Sequence, residues 1–187
     1  VCNVPRGWWF NPYQVMLPPS QSQVMYPCPP GYYGNANTCS GNFDTACTIC
    51  PAGEFCEGFS LDNGDGHRGD CPVGHYCPQG TKSRTEHPCE AGTYNGATGQ
   101  DDQSDCVECP AGSYCMEGAD APVQCEEGYY CPAATARDTQ YPCTGGTYSD
   151  TKGLTIASAC TTCPTGHFCP EGSNSPIPCR SGTYNSL

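Results

Sequence analysis

Apolar positions along this chain fall singly, and no stretch repeats them at helical spacing over a useful length. What recurs instead is a short motif: a cysteine, two residues, a glycine, one variable residue and an aromatic. The aromatic falls at Tyr33, Phe55, Tyr76, Tyr94, Tyr114, Tyr130, Tyr148, Phe168 and Tyr184. Gly and Pro on either side confine extended backbone to pieces of roughly two to five residues, so the pattern predicts many short β segments between turns. The regular ring position reads as a ladder, with one ring per rung packed on the disulfides, because a large ring supplies most of the apolar area on offer. A ligand-binding aromatic stripe is the alternative reading of the same spacing. The densest apolar stretch, Trp8-Trp9-Phe10 followed by Pro12 and Tyr13, stands outside the motif. It is a candidate interface, since aromatics favour interface cores, or else it packs on the first repeat.

A longer period contains the motif. Cys71, Cys77, Cys89, Cys106, Cys109, Cys115 and Cys125 recur 54 residues later as Cys125, Cys131, Cys143, Cys160, Cys163, Cys169 and Cys179. A looser copy begins at Cys28 and runs through Cys47, Cys50 and Cys56, with an insert before Cys71. Self-similarity of this kind marks a repeat architecture. Each period holds one long loop closing on Cys-x-x-Cys (Cys89 to Cys109, Cys143 to Cys163) and two short Cys-x5-Cys units. The expected organisation is a non-repeat segment at 1–27, a divergent repeat at 28–88, a second at 89–142 and a third at 143–187. The tract from Cys179 to Tyr184 reads as the start of another long loop, which leads us to expect further chain.

Composition explains why cysteine must carry the fold. Leu, Ile, Val and Phe together number 19 of 187 residues, while Gly contributes 23 and Pro 19. So little apolar surface does not offset the entropy of ordering a chain. The 19 cysteines supply the alternative, a disulfide scaffold, in which a bridge over ~15 residues contributes roughly 3 kcal/mol. The fold class expected is small and disulfide-rich: elongated tandem cysteine-rich repeats with short β pieces and little regular secondary structure. Disulfides also imply a compartment outside the cytosol. No apolar run approaches the ~20 residues of a membrane span. The net charge of −12 suits a solvated surface, and seven Lys and Arg are too few to neutralise nucleic-acid phosphates.

Sequence alone does not give connectivity, but the gaps favour one scheme. The long loops close on themselves as Cys28–Cys47, Cys89–Cys106 and Cys143–Cys160. Equal five-residue gaps in consecutive short units suit crossed pairs: Cys50–Cys71, Cys56–Cys77, Cys109–Cys125, Cys115–Cys131 and Cys163–Cys179. Cys2 and Cys39 could then pair. Cys169 is left unassigned, open either to local exchange with Cys179 or to a bond with another chain. Structural zinc is the rival for Cys47-x2-Cys50, Cys106-x2-Cys109 and Cys160-x2-Cys163, but two such pairs should lie some ~12–20 residues apart and here they lie over fifty apart.

Cys109-Pro-Ala-Gly-Ser-Tyr-Cys115, with Pro88-Cys-Glu-Ala-Gly-Thr-Tyr94 and Cys106-Val-Glu-Cys109, resembles the GCC2/GCC3, or ephrin-receptor-like, cysteine-rich repeat. The likeness covers about residues 26–187; residues 1–25 do not share it. It implies an extracellular, elongated rod of the kind found in receptor ectodomains, protist and algal surface proteins and flagellar mastigonemes. The related tumour-necrosis-factor-receptor modules have the crossed pairing, which is where that scheme gains support. The family has no shared catalytic residue.

Remaining candidates are local. Asp62, Asp65 and Asp70 lie in a Gly- and Asn-rich insert that could offer oxygen ligands to calcium, although Gly64 stands where an EF-hand loop needs a donor. No cofactor is implied apart from that weak calcium option. Arg68-Gly69-Asp70 spells an integrin-recognition tripeptide, read here as chance in a Gly- and Asp-rich chain. The four histidines fall in separate loops, with His75 and His167 in the variable slot before the repeat aromatic, so no nucleophile–base constellation is apparent. No Asn-x-Ser/Thr sequon occurs, and O-linked sugars are the modification expected. The sequence therefore leads us to expect a non-catalytic structural subunit of an extracellular filament or cell-surface or flagellar coat, mastigoneme-like, joined by self-association or to other extracellular proteins. The alternative is the ligand-binding ectodomain or stalk of a surface receptor.

Overall fold

The computed structural model describes the backbone of 8–10 and 25–27, and residues 28–34, 47–58 and 68–184 in full. Their regular structure is almost entirely two-stranded. Seven antiparallel hairpins pair β1 (Trp8–Phe10) with β2 (Met25–Pro27), β3 (Tyr32–Gly34) with β4 (Cys47–Ile49), β5 (Glu54–Cys56) with β6 (Arg68–Asp70), β7 (Thr93–Tyr94) with β8 (Val107–Glu108), β9 (Ser113–Tyr114) with β10 (Val123–Gln124), β11 (Thr147–Tyr148) with β12 (Thr161–Thr162), and β13 (His167–Phe168) with β14 (Ile177–Pro178). Single turns of 3-10 helix at Gln103–Asp105 and Ala157–Ala159 sit in the long loops. The chain is thus a small, disulfide-rich series of tandem cysteine-rich modules, as its pattern predicts.

Six of the seven hairpins, all but that of β1 and β2, grow from the same local cause. The Cys-x-x-Gly turn reverses the backbone, and the two or three residues after the glycine form the first strand. In the units opening at Cys89, Cys143 and Cys179 the residue after that glycine is threonine, and its hydroxyl donates back to the second residue of the turn: Thr93 to the Glu90 carbonyl, Thr147 to Thr144 and Thr183 to Arg180, each at 2.7 Å. These side-chain bonds lock a turn that the backbone alone would hold less firmly.

Sulfur occupies the interior. Among the described residues, fourteen of the fifteen buried hydrophobic ones are cysteines, and the other is Phe55. Among the described residues eight disulfides link Cys28–Cys47, Cys50–Cys56, Cys71–Cys77, Cys89–Cys106, Cys109–Cys115, Cys125–Cys131, Cys143–Cys160 and Cys163–Cys169. The long loops close on themselves as the spacing suggests. The short units do not cross. Cys50–Cys71, Cys56–Cys77, Cys109–Cys125, Cys115–Cys131 and Cys163–Cys179 are replaced by bonds within each Cys-x5-Cys unit. The reason is the glycine turn, which folds Cys115 back to a Cα–Cα distance of 5.9 Å from Cys109, well inside the range a disulfide spans. Cys169, unassigned by the crossed scheme, takes Cys163, and Cys179 is the free cysteine among the described residues. Cys2 and Cys39 lie outside the described residues.

The chain divides into two compact units. The first comprises 1–87 with 97–105, the second 88–96 with 106–187.

Candidate functional site

The feature that repeats most faithfully is the junction between consecutive modules. Where the module opening at Cys109 meets the one opening at Cys125, four backbone hydrogen bonds form. The Cys125 N–H donates to the Gly112 carbonyl at 2.9 Å, the Gly112 N–H to Cys131 at 2.7 Å, the Cys115 N–H to Thr135 at 3.0 Å and the Ala134 N–H back to Cys109 at 2.9 Å. The junctions opening at Cys71, Cys109, Cys143 and Cys163 carry the same four at equivalent positions. At Cys109, for instance, Cys109 donates to Gly92, Gly92 to Cys115, Asn95 to Ala119 and Gly118 to Cys89. Each bond is worth about 1 kcal/mol net, so the set joins neighbours without any covalent link. This clasp fits the nearest-neighbour energetics of a repeat array.

Two glycine slots build the clasp. The first is the glycine of Cys-x-x-Gly. Gly92 has φ +94, and a Cβ placed on it would lie 2.6 Å from the Ala134 carbonyl oxygen, two modules further on. The second slot follows the second cysteine or sits in the long loop. It holds Gly80, Gly99, Gly118, Gly153 and Gly172, whose N–H groups donate to the opening cysteine of the preceding module. Ala134 fills that slot once, and with φ 58 it is the one non-glycine at positive φ among the described residues. Sequence reasoning missed this clasp, although the second glycine, three residues after the closing cysteine of a short unit at Gly80, Gly118 and Gly172, was its signal.

The repeat aromatics behave unequally. Phe55 is buried at 7 % exposure and clusters with Cys71 and Cys77, the disulfide of the next module, as the ladder reading expects. Against Cys28 and Cys47 it is Tyr32 that packs, while Tyr33 takes the Arg68 guanidinium over its ring at 4.1 Å. Phe168 and Tyr184 stand 44 % and 85 % exposed. Opposite the rings, the return strands place Val107 across from Tyr94, Val123 across from Tyr114 and Ile177 across from Phe168. In the first unit Tyr76 stacks on His87, and in the second the equivalent Tyr130 stacks on Tyr141.

Arg68-Gly69-Asp70 forms β6 instead of a loop tip. The Arg68 guanidinium donates to both carboxylate oxygens of Glu54 on the paired strand β5, with the Nη2 bond at 2.9 Å. That hydrogen bond holds the Glu54 carboxyl below its ordinary value and raises Arg68. The arginine is therefore committed within the chain, between Glu54 and Tyr33. Asp70 is exposed and lies opposite Glu54; Asp62 and Asp65 fall outside the described residues. Among the described residues no three His, Cys, Asp or Glu side chains converge on a point suited to a metal. The Cys47/Cys50, Cys106/Cys109 and Cys160/Cys163 pairs hold no thiolate for zinc, because each sulfur is already bonded elsewhere. His75 and His167 play one local role, their Nδ1 atoms 3.1 and 3.2 Å from the carbonyls two residues before. Of the N-terminal aromatics, Trp8, Trp9 and Phe10 form β1, with their backbone paired to Pro27, Tyr26 and Met25.

The chain matches no protein-family model and no curated protein. Its bonded sulfurs assign it to an oxidising, extracellular-type environment. Among the described residues no helix is long and apolar enough to cross a membrane.

Proposed function

We propose that the chain is a non-catalytic structural subunit of an extracellular filament or surface coat, mastigoneme-like, in which stapled modules in series do the mechanical work. The observation that carries this reading is the recurring clasp: at five junctions, those opening at Cys71, Cys109, Cys125, Cys143 and Cys163, a module meets its successor through one set of backbone positions, independent of the side chains between them. An architecture of that kind serves length and connectivity while leaving the surface free to vary. The aromatic segment at Trp8, Trp9 and Phe10 is the proposed contact between subunits, of the unlike-surface type that propagates without closing. Exposed Ser and Thr are the proposed carriers of O-linked sugars. Sedimentation of the native chain over a range of concentrations, with electron microscopy of the same material, tests the reading. Concentration-dependent assembly into filaments or sheets is the expected result, and a strictly monomeric species at high concentration in native buffer would overturn it.

A receptor ectodomain is the second reading. It is favoured by the apolar residues beside the rings, where Val107, Val123 and Ile177 are 55 %, 48 % and 42 % exposed in strands that face solvent. A membrane helix with a cytosolic tail encoded in the same gene would decide for the receptor.

A further inference from the structure

The disulfide map and the clasp together carry a mechanical inference, which holds for a coat subunit and a receptor stalk alike. All eight described disulfides close within a module, over 6 residues in the short units and 17 or 19 in the long ones. The five described junctions hold by backbone hydrogen bonds, and none of those disulfides crosses them. Among the described residues no sheet exceeds two strands, and from module to module the strands meet only in single bridges such as Tyr94 with Ala119 and Tyr130 with Leu154, so no extended ladder shares a load.

We infer that the repeat array is a graded extensible tether, in which short modules lengthen under tension and long-loop modules act as nearly inextensible links. The grading follows from how much chain each bridge removes from the load path. From Cys109 to Cys125 there are 16 residue steps, of which the Cys109–Cys115 bond closes 6 and leaves 10. From Cys143 to Cys163 there are 20 steps, of which Cys143–Cys160 closes 17 and leaves three. At ~3.5 Å per extended step plus one bridge, the short module reaches about 41 Å and the long one about 16 Å. A longer stretch of sequence thus yields the shorter, stiffer element. Because the clasp is non-covalent and each junction repeats the last, opening proceeds junction by junction and reverses when tension is released, as local unfolding units do. The order long, short, short sets one stiff link between each pair of compliant ones.

Stretching the unreduced full chain between handles at its two ends tests this. Stepwise, reversible lengthening is expected. Replacing both cysteines of one pair by serine changes the released length by an amount that depends only on the bridge removed. For Cys109 and Cys115 the gain is about 15 Å, and for Cys143 and Cys160 about 54 Å. If a variant does not fold, adding a dithiol reductant to the already extended native chain reads the same two increments as each bridge is cleaved. A single all-or-none opening of the array, no extension before covalent rupture, or equal gains from the two pairs would each overturn the inference.

Discussion

Gly92 and Ala134 meet at one point: a methyl group built on Gly92 would sit 2.6 Å from the Ala134 carbonyl oxygen, at a glycine whose φ is +94. Two separate penalties attach to Gly92→Ala. One is the backbone strain of a side chain at positive φ, about 1 kcal/mol or somewhat more. The other is the clash with main chain that cannot swing aside. Gly146 occupies the same slot with φ +90 but meets nothing within 4 Å. Gly146→Ala should therefore lose only the strain, while Gly92→Ala loses roughly 2–4 kcal/mol. Denaturant midpoints of the two variants measure the difference, and equal losses would show that the close approach is not felt.

Ala134→Gly should move the other way. The alanine sits at φ 58 where the equivalent residues are glycine, and its N–H still completes the clasp at 2.9 Å. Removing the methyl relieves strain of about 1 kcal/mol, set against a small entropy gain of the unfolded chain. A net stabilisation of ~0.5 kcal/mol, read as slower exchange of the Ala134-equivalent amide and a higher melting midpoint, is the expected outcome. Destabilisation would mean that the methyl makes a packing contact outweighing the strain.

Acid should loosen the hairpin of β5 and β6. The hydrogen bond from Arg68 lowers the Glu54 carboxyl below its unfolded value. A group depressed in the folded state contributes stability above its unfolded pKa, and loses it as pH falls through the folded value. The pair is partly exposed, with 38 % of the Arg68 side chain and 27 % of the Glu54 side chain accessible, so the effect stays below ~1 kcal/mol. Amide exchange in β5 and β6 should quicken relative to the other hairpins as pH drops below about 4.5, and Glu54→Gln should abolish that excess.

The recurrence of small disulfide-stapled hairpins was legible because cysteine, glycine and aromatic recur together, and Cys28–Cys47, Cys89–Cys106 and Cys143–Cys160 were legible because each long loop brackets its own partner. The pairing of Cys109 and Cys115 was not. Five intervening residues satisfy a local bond and a crossed one equally, and the deciding fact is backbone: whether the Gly112 turn brings the two Cα atoms within reach. The clasp was hidden for a related reason. Its donors and acceptors are main-chain groups, which every residue carries, so only the glycine slots betray it. The Arg68–Glu54 pair was hidden too, since its members stand 14 positions apart in the sequence and only β pairing brings them together.

Proteolysis distinguishes the local disulfides from the crossed ones. Cleavage of the unreduced chain at Asp120, between Cys115 and Cys125, severs no bridge under the local map, so with cuts at Glu86 and Asp138 the 87–120 and 121–138 fragments separate without reductant. Crossed pairs Cys109–Cys125 and Cys115–Cys131 would hold the same fragments together. The energetics should follow the map as well. Loop closure over 6 residues contributes about 2 kcal/mol and over 17 about 3 kcal/mol, so replacing Cys109 and Cys115 together by serine should lower stability less than replacing Cys143 and Cys160. Alkylation of the native chain should label Cys179 while sparing the sixteen bonded cysteines, because its thiol has neither a disulfide partner nor full burial. Fragments that stay joined until reduced would return the short units to the crossed scheme and remove the independent modules on which the extensible tether rests.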